Sequence, residues 1–285
     1  METSRRTILI RRLLAVGAVL GLAVAAKLII NGAGSLVSAD KQGADLTEIE
    51  ISSASVGQDL PVNVVVPQGA EGDERPLLVF LHGRGSDGEE SNLDDAMYAA
   101  LADQGDRAPI VAFPNGGEAS YWHDRDSGDW GTYVVDEVIP QVAEQFGADP
   151  KRVAIGGISM GGFGAYDLAR VNPGRFCAVG GHSPALWQTA GETAEGAFDD
   201  AEDFAAYDVI ATAESDPGPF LSQAVWIDAG EADPFSPGIE AFTTALETAG
   251  APLTSTRPPG GHEGSYWDAH FDEYMRFYAR SLDAC

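Results

Sequence analysis

The apolar residues of this chain fall into two spacings. Residues 47–52 and 61–66 alternate apolar with polar positions, the period of a half-buried strand pair. PLLVFLHG (76–83), PIVAFPNGG (109–117), RVAIGG (152–157), FCAVGG (176–181) and AVWIDAG (224–230) are instead largely apolar runs that end in glycine or histidine, and the more polar PLTSTRP (252–258) follows as a last strand. Such runs suit strands covered on both faces. Between them, residues 92–104, 134–146 (with Pro140 inside), 160–171 and 267–282 place apolar positions at helical spacing. Strands alternating with helices predict an α/β fold, a mainly parallel central sheet with helices on both faces. In such sheets functional sites form beyond the carboxyl ends of the strands. Residues 184–222, rich in Ala, Asp and Glu and lacking a buried run, are expected to form a cap-like insertion between the sixth and seventh core strands.

The first 39 residues have a different character. A basic METSRRTILIRR precedes the apolar LLAVGAVLGLAVAA, and Val37 and Ala39 offer small residues for cleavage before Asp40. That is the order of an export signal, and SRRTIL resembles the twin-arginine export motif with Ile8 in place of the usual Phe. The alternative is an uncleaved anchor over 13–30, the only route to a membrane expected here. Either reading puts residues 40–285, which no polar linker divides, outside the cytoplasm as one domain.

Charge removes one class of function. The net charge of −27 repels phosphate backbones, so no nucleic-acid partner is expected. Acid-rich runs such as FDDAED (198–203) lack the spacing of a calcium loop and read as a solvated face. The excess of acids over lysines also resembles proteins of high-salt settings. His and Cys show no metal-ligand spacing, and neither a metal nor a cofactor is expected. Cys177, in an apolar run, and Cys285, the last residue, are not expected to pair, and oligomeric state is not readable.

Chemistry concentrates at GGISMGGFGAY (156–166). An alcohol needs a base to take its proton, a carboxylate to hold that base, and N–H donors for the oxyanion that forms. Gly157-Ile158-Ser159-Met160-Gly161 lies between a strand and a helix, where a strained turn would present Ser159 and glycines would relieve its crowding. Of five histidines, His262, in a glycine loop after the last strand, is placed to serve as general base; His82 is expected to buttress its own turn, and His270 to pack. The acid belongs between serine and histidine: Asp233, beyond Gly230 in WIDAGEADPF, is preferred to Asp228 within the strand and to Glu231.

LHGRG, GGISMGGFGA, DAGEADPF and GGHEGSYW together resemble the α/β-hydrolase superfamily, most nearly the esterase D-like group that includes feruloyl-type esterases and mycolyltransferases. The resemblance covers about residues 46–282. It implies Ser159 as nucleophile, Asp233 as acid and His262 as base, with the backbone N–H groups of Met160 and Arg84 as oxyanion hole. Trp267 matches an aromatic that follows the catalytic histidine, and Trp122 and His123 join it as substrate-pocket candidates. The departures, at 120–130 and 184–222, fall where substrate identity would be set. The expected activity is an extracytoplasmic serine esterase acting on a small-molecule or carbohydrate-linked ester. The alternatives are an acyltransferase that hands the acyl group to a sugar hydroxyl, and a non-catalytic binding protein on the same fold.

Overall fold

Strand β1 (Asp45–Ser53) runs antiparallel to β2 (Gln58–Val66), which runs antiparallel to β4 (Ile110–Pro114). Every other pairing in the sheet is parallel. β3 (Arg75–Leu81), β5 (Ala148–Ile158), β6 (Ala178–His182), β7 (Ala224–Asp228) and β8 (Leu253–Thr256) complete the order β1-β2-β4-β3-β5-β6-β7-β8. This computed structural model describes residues 39–69, 74–85 and 88–285. The sheet belongs to the unit Lys41–Cys285; the export or anchor segment expected at the amino end falls outside the described residues but for Ala39.

All seven residues of β3 and all five of β4 are buried, which explains why, Arg75 apart, their sequences are unbroken apolar runs. The α-helices of six residues or more are α1 (Asp95–Ala102), α2 (Ile139–Phe146), α3 (Met160–Val171), α4 (Ala201–Ala206), α5 (Val209–Ser215), α6 (Ser236–Ala249) and α7 (Gly264–Asp283). The helix expected over 134–146 is divided: Tyr133–Val138 is π-helical and α2 begins just before Pro140. Proline has no N–H for the carbonyl four residues back, so the regular ladder opens there. Gly147, at φ 70°, ends α2 in the left-handed cap that favours glycine.

Residues between β6 and β7 contain no strand among the described residues, as the pattern predicts, but they divide into two parts. The first follows the carboxyl edge of the sheet, where the Ala185 N–H donates to the Ser159 carbonyl (3.0 Å). The second joins a helical layer: α5 packs on α3 and α6, and Val209, Ile210, Ala213 and Phe220 are buried. FDDAED is not a plain solvated face. Asp199 takes two bonds from the Arg125 guanidinium (2.5 and 3.0 Å), Asp200 caps α4 by accepting from the Glu202 and Asp203 N–H groups, and Asp203 holds His123 at 3.1 Å. Arg125 also donates to the carbonyls of Gly196 and Ala197. The loop at 120–130 and the insertion are therefore clamped to each other.

Cys177 and Cys285 are bridged, contrary to the sequence expectation. Cys177 lies just before β6, not inside it, and is only half-buried, while the end of α7 brings Cys285 to a Cα–Cα distance of 5.8 Å. The bridge closes a span of 108 residues. A loop of that size restricts the unfolded chain strongly, and losing a native disulfide costs about 2–5 kcal/mol. Cys285→Ser is expected to lower the urea midpoint correspondingly, with reductant destabilising the native protein and leaving the variant unaffected.

Candidate active site

Ser159 occupies the single residue between β5 and α3, with φ 55° and ψ −112°. A side chain other than glycine is strained at such a φ, and the surroundings hold it there. Its N–H donates to the His182 carbonyl (3.0 Å), and its carbonyl accepts from Phe163 (3.1 Å) and Ala185 (3.0 Å). The flanking glycines are required by packing. A Cβ on Gly157 would lie 2.5 Å from the Leu81 carbonyl oxygen, and one on Gly161 2.1 Å from the same atom. The end of β3 therefore passes directly beneath the turn, and only bare backbone fits above it.

The partners arrive from the next strands. Ile158, His182, Asp228 and Thr256 are paired in one row across β5, β6, β7 and β8. Beyond that row the loops after β7 and β8 bind each other: Ala232 N–H donates to the Gly260 carbonyl (2.9 Å) and Glu231 N–H to the Pro258 carbonyl (3.0 Å). Gly230 lies so close to Gly260 that a Cβ would sit 2.3 Å from its carbonyl carbon. Asp233 and His262 are thus carried on two loops joined backbone to backbone.

Asp233, His262 and Ser159 form one hydrogen-bonded line. With the proton on Nδ1, His262 donates to Asp233 Oδ2 at 3.0 Å, and its Nε2 accepts from the Ser159 hydroxyl at 2.9 Å. The Asp233 side chain is fully buried, whereas that of His262 is 22% exposed, so the imidazole meets both the carboxylate and open space. Burial works against ionisation of Asp233, yet bonds from His262 and the Phe235 N–H outweigh it and hold the carboxyl below its ordinary range, assisted by the neighbouring Ser183 hydroxyl. Asp228 is buried elsewhere and Glu231 is exposed.

Met160 opens α3 beside Ser159, and a Cβ on Gly83 would sit 3.6 Å from that of Ser159, so the turn carrying Arg84 lies against the serine. His82 fixes this turn as expected: Nδ1 donates to the Gly83 carbonyl (2.8 Å) and Nε2 accepts from the Gly116 N–H (2.9 Å). The Arg84 guanidinium stands beside the Tyr121 hydroxyl.

Two pocket candidates require correction. Trp122 is wholly buried; its indole N–H donates to the His82 carbonyl (3.2 Å) and its ring fills the space left by Gly116 and Gly164. His123 is also wholly buried, stacked on Phe198 and bonded to Asp203, and burial lowers its pKa. Both are core props. Trp267 is half-buried and meets His262 edge-on at 5.2 Å between centroids. Sequence reasoning missed Phe235, whose ring lies 5.0 Å from that of His262 and 5.5 Å from Trp187. Its position two residues beyond Asp233 was the available signal. Ser183, at φ 49° beside Asp233, had none.

A serine on a strained strand-to-helix turn, joined to histidine and aspartate at the carboxyl edge of this sheet, is the arrangement of the α/β-hydrolase class. Residues 53–278 match the family model described as "Putative esterase", and the chain belongs to that family. It is similar to "Esterase Rv1288" of Mycobacterium tuberculosis (strain ATCC 25618 / H37Rv), 25% identical over 252 residues, which are 74% of this chain and 54% of that protein. The chain thus spans about half of that relative's length. It is also similar to "S-formylglutathione hydrolase" of Bos taurus, 27% identical over 251 residues, with 78% of this chain and 88% of the relative covered. A solved "ferulic acid esterase" shares the fold, with a TM-score of 0.74 and 21% identity over 84% of this chain and 99% of that one.

Because the Leu81 carbonyl is backbone and cannot swing aside, Gly161→Ala is expected to destabilise the fold by about 1–3 kcal/mol or more. Gly191→Ala, at a site with nothing within 4 Å of the new Cβ, is expected to stay within about 0.5 kcal/mol of the parent. Denaturant melts of the two variants compare them directly.

Proposed function

We propose that this protein is a serine esterase that hydrolyses carboxylic esters through an acyl-enzyme, with Ser159 as nucleophile, His262 as general base and then acid, and Asp233 holding the imidazole. The supporting observation is the continuous line of hydrogen bonds from Asp233 through His262 to Ser159. Membership of the esterase family and the names of the relatives agree with an ester or thioester substrate.

In the first step His262 Nε2 takes the hydroxyl proton as Ser159 Oγ attacks the carbonyl carbon. The resulting oxyanion is received by the N–H groups of Met160 and Arg84, donors that need no reorganisation. The imidazolium, stabilised by ionised Asp233, gives its proton to the departing alcohol. A water molecule deprotonated by the same nitrogen then attacks the acyl-enzyme and releases the acid. Half-buried Phe235 and Trp267 flank His262, with Trp187 packed on Phe235, and favour an apolar or ring-bearing group on the substrate.

The site of action is outside the cytoplasm. The basic–apolar–small order of residues 1–39 supports export, and the Cys177–Cys285 bridge suits an oxidising compartment.

The test is hydrolysis of p-nitrophenyl esters of graded chain length by the full chain. Ser159→Ala is expected to lower turnover by a factor of about 10⁶, and Asp233→Asn by about 10⁴. Equal rates in wild type and Ser159→Ala would sink the proposal. Products formed with and without an added sugar distinguish the acceptor: an acylated sugar in place of free acid would make the enzyme a transferase through the same triad.

A further inference from the structure

Besides His262–Asp233 and His123–Asp203, the described residues hold an Asp–His pair that is wholly buried on both sides, Asp228 with His182. Asp228 accepts four hydrogen bonds, each 2.8 Å long. His182 Nδ1–H and the Trp226 indole N–H reach Oδ1, while the Tyr266 and Tyr274 hydroxyls reach Oδ2. His182 Nε2 accepts from the Tyr278 hydroxyl at 2.9 Å, and the His182 ring stacks on Tyr274. Burial opposes a charge on Asp228, but the bonds from His182, Tyr266 and Trp226 offset it and its pKa lies below the ordinary range. Tyr266 and Tyr274 are shifted the other way, first by burial and then by this carboxylate, so both remain donors.

What distinguishes this cluster from an ordinary buried network is where its members lead. The His182 carbonyl is the acceptor for the Ser159 N–H. The Asp228 carbonyl accepts from the Ser183 N–H at 2.7 Å, and the Ser183 hydroxyl stands beside Asp233. The Tyr266 ring packs against Gly260, two residues before His262, so closely that a Cβ there would lie 2.5 Å from the ring. One carboxylate is therefore connected to the nucleophile turn and to the histidine loop, and through Ser183 it lies next to the acid.

We infer that Asp228, through His182 and Tyr266, is a positioning residue that sets the three members of the Ser159–His262–Asp233 line in mutual register. The inference rests on the esterase reading above. Its physical basis is that all four side-chain groups facing Asp228 are donors, so an acceptor-only carboxylate satisfies them together. An asparagine places an N–H where an acceptor is needed and leaves the two donors at that position without an acceptor. A shift of about 1 Å in a reacting group costs about 100-fold in rate, so small relaxations of the His262 loop are legible in kcat.

The test compares full-length wild type, Ser159→Ala, Asp228→Asn, Tyr266→Phe and Cys285→Ser on p-nitrophenyl acetate, at a temperature where circular dichroism shows each variant folded. Tyr266→Phe removes one hydroxyl and keeps the ring on Gly260, so it serves even if Asp228→Asn fails to fold. Cys285→Ser destabilises the chain away from the cluster and is expected to keep wild-type kcat. The expected result is a fall in kcat of about 10- to 100-fold for Asp228→Asn and about 10-fold for Tyr266→Phe. KM should stay within about twofold, and labelling of Ser159 by a fluorophosphonate should slow in proportion. If Tyr266→Phe loses thermal stability but keeps kcat within about twofold of wild type, the cluster serves stability alone and the inference is overturned. Turnover in Ser159→Ala equal to wild type would instead remove the esterase reading, and this inference with it.

Discussion

Four parallel strands ending in register provide the constraint on which the site depends. Ile158, His182, Asp228 and Thr256 stand side by side, and each chain element of the site is counted from that row. Ser159 follows it at once, Asp233 five residues later and His262 six. Side chains alternate faces along a strand, so a slip of one residue would turn the row over and separate the three groups. The glycines beneath the row hold the register from the other side. A Cβ on Gly156 would meet the Tyr278 hydroxyl at 1.8 Å and one on Gly180 would meet it at 2.2 Å, so α7 lies against bare strand backbone. That same helix begins at Gly264, two residues after His262. Sheet register, helix placement and histidine position are one problem solved once.

Much of this was legible in the sequence because the required residue types are local. Strands buried on both faces must be apolar throughout, a positive-φ turn over a neighbouring strand must be flanked by glycine, and the order Ser159, Asp233, His262 follows strands five, seven and eight. The preference for Asp233 over Asp228 rested on a loop reaching where a strand cannot, and Asp228 is indeed held inside. What escaped was whatever depends on a partner distant in the chain. Nothing near Trp122 says that Gly116 and Gly164 leave room for its ring, and nothing near Cys177 says that the last turn of α7 ends beside it. Pro140 stands inside a stretch of helical spacing, and nothing local says that the turn before it becomes π-helical.

The acidic composition has a similar lesson. Asp94, Asp200 and Asp208 each cap a helix by accepting from backbone N–H groups, where a carboxylate also opposes the positive end of the helix dipole. Asp199 and Asp203 tether the insertion to Arg125 and His123. A chain that carries −27 disposes part of that charge where the backbone itself is the counterion, which is why a run such as FDDAED is structure and not only a soluble face.

The Asp–His pairs at His182 and His262 show why composition and local context cannot alone assign chemistry. His182 and His262 both follow a pair of glycines, and both donate Nδ1–H to an aspartate, at 2.8 and 3.0 Å. They differ at the other nitrogen. Nε2 of His182 is closed by the Tyr278 hydroxyl in a wholly buried setting, so a proton taken there has no substrate to go to. Nε2 of His262 faces a serine hydroxyl with part of the ring in the open. A base must pass its proton onward, and only the second arrangement provides a recipient. The buried pair offers what the open one lacks, a carboxylate saturated with donors and a ring fixed on both sides, and rigidity of that kind is what an aligned but accessible imidazole requires from its surroundings.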